Sequence, residues 1–255
     1  MTKNNTVLGL DLFDIELKDF CIFHIPHAST SLPDLDGYNK DLINNEIIKL
    51  TDWATDEIFD IPNTSKVVAN FSRIYCDIER FSDDEKEPMS KLGRGFYYTK
   101  TDNNSDLRKL NKKHKQYVYD NFYKPHHDKL NDIVYDKLML FNTAIIIDCH
   151  SFSNTPFESD LIKEENRPDI CIGVDEFHTP KYLVERFVNH FSKLGYSVQI
   201  NNPYSGTIVN SNSYLKNKDV QSIMIEINRK LYMDNDNVNY DKVKTLNEQI
   251  QKLFI

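Results

Sequence analysis

Four apolar runs in this chain end in, or enclose, side chains able to do chemistry. Phe20–Ile25 leads into His27, and Ala144–Ile147 leads into Asp148, His150 and Ser151. Arg73 and Arg80 flank the run Ile74–Ile78. Glu226 sits inside Ile223–Ile227, with Asn228 and Arg229 just beyond. In open α/β sheets, ligands sit at the carboxyl ends of strands, so these residues are candidates for one shared site. Two histidines and a carboxylate make a usual catalytic zinc set, which leaves one position for water or substrate. His27 and His150 are the two histidines placed for it. Glu226 is the most informative acid. A glutamate in an apolar strand loses hydration, and burial raises its pKa toward that of a useful general base. The structural alternative pairs it with Arg229 or another arginine.

Other titratable residues fit plainer roles. His24 lies inside a strand and reads as a satisfied core residue. His126 and His127 follow Pro125 on a helical face and read as surface residues or as a second layer around a site. His114, His178 and His190 read as helix or loop surface. Asp52 and Asp56 are four apart, so on a helix both carboxylates share one face, which is usually a solvated one. Cys21, Cys76, Cys149 and Cys171 show no CxxC spacing and read as reduced core residues. Cys149 adjoins His150 but faces the other way on an extended chain, which argues against a thiol nucleophile.

The elements that must hold these residues alternate between strand and helix. Strands are expected at Phe20–Ile25, Val67–Ala69, Ile74–Ile78, from Ala144, at Ile170–Val174, at Tyr196–Ile200 and at Ile223–Ile227. Residues 7–19 alternate roughly and suggest an edge hairpin. A helix from Asp41 carries Ile43, Ile47, Leu50 and Ala54, with Ile58 continuing it. Ser105 is placed to cap a helix bearing Leu107, Leu110, Tyr117 and Val118, which Pro125 breaks or kinks before Leu130, Val134 and Leu138 continue it. Thr179-Pro180 starts a helix that Gly195 stops, and Asp241–Leu253 forms the last. The irregular stretch 81–106 is long enough to be a lid. Alternation of this kind implies an α/β fold, a single domain over 1–255 with a mixed, mostly parallel sheet and helices on both faces.

Composition narrows the functions. The 255 residues carry a net charge of −8, which gives no bulk attraction to nucleic acid or an anionic membrane. No apolar stretch approaches the ~20 residues that span a bilayer, and the N-terminus does not read as a signal peptide. A cytoplasmic protein is the expectation.

Eight stretches then align with a known family: IPHAST (25–30), TDWATDEIF (51–59), FSRIYCDIER (71–80), FYKPHHDKL (122–130), IIIDCHSF (145–152), DICIGV (169–174), NPYSGTI (202–208) and IEINRKLYM (225–233). In this order they resemble the N-formylglutamate amidohydrolase family, over roughly Phe20 to Met233. That family resembles the zinc carboxypeptidases in fold (zinc-exopeptidase-like, phosphorylase/hydrolase-like). There a DxHS-type strand end supplies a zinc histidine and a late-strand glutamate is the catalytic base. The resemblance thus implies His150 as a metal ligand and Glu226 as the base. The carboxypeptidases' His-x-x-Glu pair is missing, because Thr30 stands three residues after His27. The family's TD motif instead points to Asp52 as the carboxylate ligand, with Asp56 in reserve. Ser205-Gly206 replaces a double glycine common in the family.

The expectation is therefore a zinc-dependent amidohydrolase of histidine degradation, cleaving N-formyl-L-glutamate to formate and L-glutamate. Zinc is held by His27, Asp52 and His150, Glu226 is the base, and Arg73, Arg80 and Arg229 bind the carboxylates of a small acidic substrate. The rivals are a zinc-dependent deacylase or peptidase of other specificity, and a non-catalytic binding protein on the same fold.

Overall fold

The computed structural model describes residues 6–7, 10–11, 15–160 and 162–255. Strands β1 (Thr6–Val7) and β2 (Leu10–Asp11) form a short antiparallel hairpin, as the alternation near the N-terminus suggests. The rest of the expected hairpin either lies outside the described residues or is helix α1 (Leu17–Phe20).

One six-stranded sheet carries the fold. Its strands are β3 (Cys21–Ile25), β4 (Ser65–Val68), β5 (Ala144–Phe152), β6 (Ile170–Gly173), β7 (Val198–Ile200) and β8 (Val220–Asn228). Their order is β4-β3-β5-β8-β6-β7, parallel except where β6 meets β8 antiparallel. The expected mixed, mostly parallel sheet is present. A short hairpin, β9 (Met233–Asp234) with β10 (Asn237–Val238), follows it.

The two faces of the sheet differ in chemistry. Alternating residues of the central strands (Phe23 and Ile25, Ile145, Ile147 and Cys149, Ile223, Ile225 and Ile227) pack against α3 (Thr55–Ile58), α6 (Lys181–Lys193) and α7 (Tyr240–Gln251). Leu183, Phe187 and Phe191 of α6 and Val243, Leu246 and Ile250 of α7 provide the helical side of this core. Its side chains are apolar apart from the Tyr232 hydroxyl, which donates to the Trp53 carbonyl at 2.8 Å, so burial at about 25 cal/mol per Å² is its main support. On the other face, Ile22, Ala144, Ile146 and Val220 meet Leu130 and Val134 of α5 (Lys124–Phe141). Further along the strands this second face turns polar, with His24, Asp148, His150 and Glu226, all buried. The strand β5 does not end at Asp148. All nine of its residues are buried and paired with β8, because the polar side chains find partners there.

Several expected elements differ. Helix α2 (Lys40–Leu50) stops before Asp52, and Ala54 takes a left-handed φ of 56° before α3 begins. Asp52 and Asp56 therefore share no helix face; Asp52 is buried and Asp56 exposed. Ile74–Ile78 is turn rather than strand, although it is buried as apolar runs are. Its backbone is served from other segments: Tyr38 Oη donates to the Ile74 carbonyl at 2.8 Å, Arg108 Nη2 donates to the Tyr75 carbonyl at 3.2 Å, and the Asp77 amide donates to the Phe96 carbonyl at 2.9 Å. The helix expected from Ser105 is α4 (Lys112–Val118), capped by Asn111 and not Ser105, so Leu107 and Leu110 precede it. A π-turn at Tyr119–Tyr123 joins α4 to α5 and absorbs the ring of Pro125, which has no N–H for an ordinary turn. The 81–106 stretch is no free flap. Phe96, Tyr97 and Tyr98 are buried with Phe71, Tyr75 and Leu107 in a separate apolar cluster that walls the polar face.

Extended Thr51 ends α2 before Asp52, and the left-handed turn at Ala54 then leads into α3. An alanine there costs about 1–2 kcal/mol that glycine does not, against glycine's greater entropy in the unfolded chain. Ala54→Gly should raise unfolding free energy by about 0.5–1 kcal/mol in urea denaturation. Destabilisation would show that the Ala54 side chain contributes more through packing than the turn costs.

Candidate active site

The sheet register builds this site. Across β3 and β5, His24 is level with Asp148; across β5 and β8, His150 is level with Glu226. His27 lies just past β3. The Asp52 amide donates to its carbonyl at 3.0 Å, which draws the segment after α2 to the strand end. Asp77 and Glu79 come from the turn after Ile74. Two sequence-expected ligands, His27 and His150, are thus brought together, with ring centres 5.1 Å apart.

Each imidazole is held by its far nitrogen. His27 Nε2 lies 3.0 Å from Asp77 Oδ1, and His150 Nε2 lies 3.1 Å from Asp148 Oδ1. The near nitrogens face one carboxylate oxygen. Asp52 Oδ2 is 3.0 Å from His150 Nδ1 and 3.6 Å from His27 Nδ1. His27 Nδ1 is buried and has no hydrogen-bond partner among the described residues. A buried imidazole nitrogen left bare beside a carboxylate suits a metal ion, and a carboxylate on the opposite ring nitrogen is how metal-binding histidines are usually oriented. A second acid stands on the other nitrogen of His150, its oxygens 3.2 Å from Nε2. Glu79 groups with His27 and His150, its Oε2 3.7 Å from His27 Nδ1. The donor set of imidazole and carboxylate fits zinc and similar divalent metals.

The three expected arginines differ in their partners. Arg229 is fully engaged: it donates to Asp52 Oδ1 at 3.0 Å, Ser151 Oγ at 3.2 Å and the Lys49 carbonyl at 2.8 Å. Arg73 makes a two-pronged contact to Asp77 Oδ2 at 2.9 and 3.2 Å. Tyr98 donates to the same oxygen at 2.8 Å. Arg80 stands 3.8 Å from that oxygen, and its Nε has no hydrogen-bond partner among the described residues.

Charge here is set by position. Burial opposes ionisation of Asp52, but His150 and His27 beside it hold its carboxyl well below the usual range. Asp77 and Asp148 follow the same balance, with Arg73 and His150 respectively the main counter-charges. Burial likewise opposes a charged His150, yet Glu79 and Asp148 keep its pKa well above the ordinary value. Glu226 behaves oppositely. Burial, with the Asp52 charge adding to it, pushes its pKa from 4.5 to about 8 against the pull of His150 and Arg229. Its Oε2 has no partner among the described residues.

The sequence reading named Asp148 at the strand end without giving it a role, and missed three other members. Asp77 lies three residues before Arg80, and Glu79 one before it. His24 was taken for a satisfied core residue; it is buried in the polar cluster, with Nδ1 3.0 Å from Asp148 Oδ1 and Nε2 3.0 Å from His126 Nε2. His126 is buried beside it, which agrees with the second-layer alternative and not with the surface one. The alternation of β3 carried the signal, because His24 shares a face with Ile22 and not with Phe23. His178 is also buried, tying the Val220 carbonyl to the Leu215 amide.

The family model of the N-formylglutamate amidohydrolases matches residues 20–233. The chain belongs to the N-formylglutamate amidohydrolase family. It is therefore a hydrolase, and the boundaries agree with the run of motifs from Phe20 to Met233. No curated protein matches it significantly. The crystal structure of an N-formylglutamate amidohydrolase from Ralstonia eutropha JMP134 is similar, with a TM-score of 0.76 at 22% identity over 92% of this chain and 91% of that one. A gene product of Agrobacterium tumefaciens matches with a TM-score of 0.66 at 17% identity, over 92% and 90% of the two chains. At such identities the likeness is one of fold. Among the described residues, no helix is long and apolar enough to cross a membrane.

The raised Glu226 pKa has a thermodynamic consequence in metal-free protein. Between about pH 4.5 and 8 the folded state keeps this proton while the unfolded chain has lost it. Stability from this group therefore falls as pH rises through that window. Glu226→Gln removes the effect, so its melting temperature, measured in chelator, should gain on wild type with rising pH. A difference constant from pH 4.5 to 8 would contradict the shift.

Proposed function

We propose that this amidohydrolase cleaves the amide of a small N-acyl amino acid, with N-formyl-L-glutamate the leading substrate and formate and L-glutamate the products. In this reading His27, Asp52 and His150 would hold a divalent metal, zinc first among the candidates. The observation that carries it is the bare His27 Nδ1 and the His150 Nδ1 facing one Asp52 oxygen, each ring gripped from behind by a buried carboxylate. When bound, such a metal lowers the pKa of water and polarises a carbonyl.

The chain's own residues supply the rest. Glu226, unpartnered at Oε2, takes a proton from the attacking water and delivers it to the departing amine nitrogen. A pKa near neutrality suits both transfers. Asp77 and Asp148 fix ring tautomer and orientation, leaving each Nδ1 for the metal. Arg229, bonded to Asp52 Oδ1, holds that carboxylate in place. Arg80, whose guanidinium is least engaged, is the better placed to take a substrate carboxylate, with Arg73 beside it. Domain, compartment and pathway follow from the same reading: one catalytic domain in the cytoplasm, acting in histidine degradation. A binding protein on this fold has no use for an unpartnered buried glutamate, which favours catalysis over the binding alternative.

Glu226→Gln keeps size and removes the base. Its kcat for formate release should fall about 10²–10⁴-fold, with bound metal near the wild-type level. A metal-loaded Gln variant of near-normal kcat would take Glu226 out of the mechanism. Asp52→Ala should lower metal occupancy in elemental analysis more than Asp56→Ala, and the reverse ranking would reassign the ligand.

The arginines separate by readout. Arg80→Lys should raise KM about tenfold or more with metal content unchanged, because lysine lacks the two-pronged guanidinium. Arg229→Lys should instead weaken metal binding, seen as a lower chelator concentration for half-removal. If Arg229→Lys changes KM alone, it contacts substrate and does not position Asp52.

A further inference from the structure

Behind the proposed metal ligands lies a second group of donors. His24 Nδ1, Glu79 and Asp148 each offer one atom, all within 4.8 Å of one another. His24 Nδ1 is 3.0 Å from Asp148 Oδ1 and 3.6 Å from Glu79 Oε1. A tetrahedral zinc with bonds of about 2.0–2.1 Å separates its ligand atoms by about 3.3–3.4 Å, a value these two distances bracket. His24 Nε2 is held by His126, so the ring cannot turn its Nδ1 away from the acids. Asp148 is fixed through its other oxygen, which accepts the Ile208 amide at 3.0 Å.

Glu79 supplies the independent observation. Both its oxygens lie 3.2 Å from His150 Nε2, while Oε1 is also 3.6 Å from His24 Nδ1 and Oε2 3.7 Å from His27 Nδ1. No lysine or arginine pairs with it among the described residues, although Asp52, Asp77 and Asp148 stand in the same cluster. A carboxylate that reaches His24 of one group and His27 and His150 of the other, with no lysine or arginine on it among the described residues, has the chemistry of a bridge between two metal ions.

We propose that His24, Glu79 and Asp148 form a second divalent-cation site, joined to the first through the Glu79 carboxylate. One imidazole and two carboxylates suit zinc, manganese or cobalt. A second cation there offsets the negative charge that a dicarboxylate substrate brings into a cluster already rich in acids. The inference rests on the metal site of the proposed function, to which Glu79 joins this one.

Metal stoichiometry tests it. The full chain, stripped with chelator and freed of it, is titrated with Zn²⁺ and with Co²⁺ by calorimetry, and metal retained after gel filtration is counted. Wild type should take up two equivalents, and His24→Asn and His27→Asn one each. Glu79→Gln should weaken both uptakes by at least tenfold. Wild type saturating at one equivalent overturns the second site and leaves the proposed function standing, whereas no uptake overturns both. Two equivalents retained by folded His24→Asn, checked by its melting curve, also overturn it. The wild-type count decides the matter even if a variant fails to fold.

Discussion

Holding several carboxylates together out of water is the constraint on which this fold depends. Asp52, Asp77, Glu79, Asp148 and Glu226 gather around His27 and His150, and four of the five are buried. Each buried carboxylate would be prohibitive unless hydrogen-bonded or paired. The sequence meets that cost with donors from separate elements: Arg73 and Tyr98 on Asp77, Arg229 on Asp52, and the Ile208 amide on Asp148. The polar face therefore closes only when the loops from 70 to 108, the end of α2, the segment at 208 and the end of β8 have all reached the sheet. Glu226 is the exception that stays without a full partner, and it is the one whose proton sits near neutral pH.

This accounts for the long irregular wall between β4 and α4. Helix or strand would satisfy its own backbone but present side chains at fixed periods. The turns through Arg73, Asp77 and Glu79 aim three charged groups at the site within seven residues. Their backbone groups are then satisfied from elsewhere, in part by Arg108, whose guanidinium lies over the Tyr97 ring at 3.4 Å. The aromatic cluster under it supplies the apolar burial that ordered secondary structure gives elsewhere.

Much of the sheet was legible because its strands are apolar runs and its helices keep a 3.6-residue stripe. The strands at Cys21, Ala144, Ile170 and Val220, and α6 and α7, follow from that pattern alone. The failures share one physical cause. At Ile74–Ile78 the residues are apolar because they are buried, and burial without a neighbouring strand looks the same in sequence. At Asp52 the helical spacing of Ile47, Leu50, Ala54 and Ile58 runs through a left-handed turn that periodicity cannot register. The candidate site was legible where a strand ends or contains a charged residue, as at His27, His150 and Glu226. It was not legible at Asp77 and Glu79, whose role depends on a turn, nor at His24. There the alternation of β3 puts the histidine on the face of Ile22, but only the pairing of β3 with β5 puts Asp148 beside it.

The register between strands turns these separate residues into a machine with fixed spacings. His150 and Glu226 are level on adjacent parallel strands, where backbones lie about 4.8 Å apart. A base on a loop would be free to drift by more than the length of a hydrogen bond, whereas this one moves only if β5 and β8 slip. A slip of one residue would turn His150 into the apolar core and bring Cys149 onto the polar face, exposing a thiol and burying an imidazole among Ile147, Ile225 and Phe23. The energetic penalty for that falls on both faces at once. The uninterrupted hydrophobic packing on one side of the sheet thus secures the geometry of the charged cluster on the other.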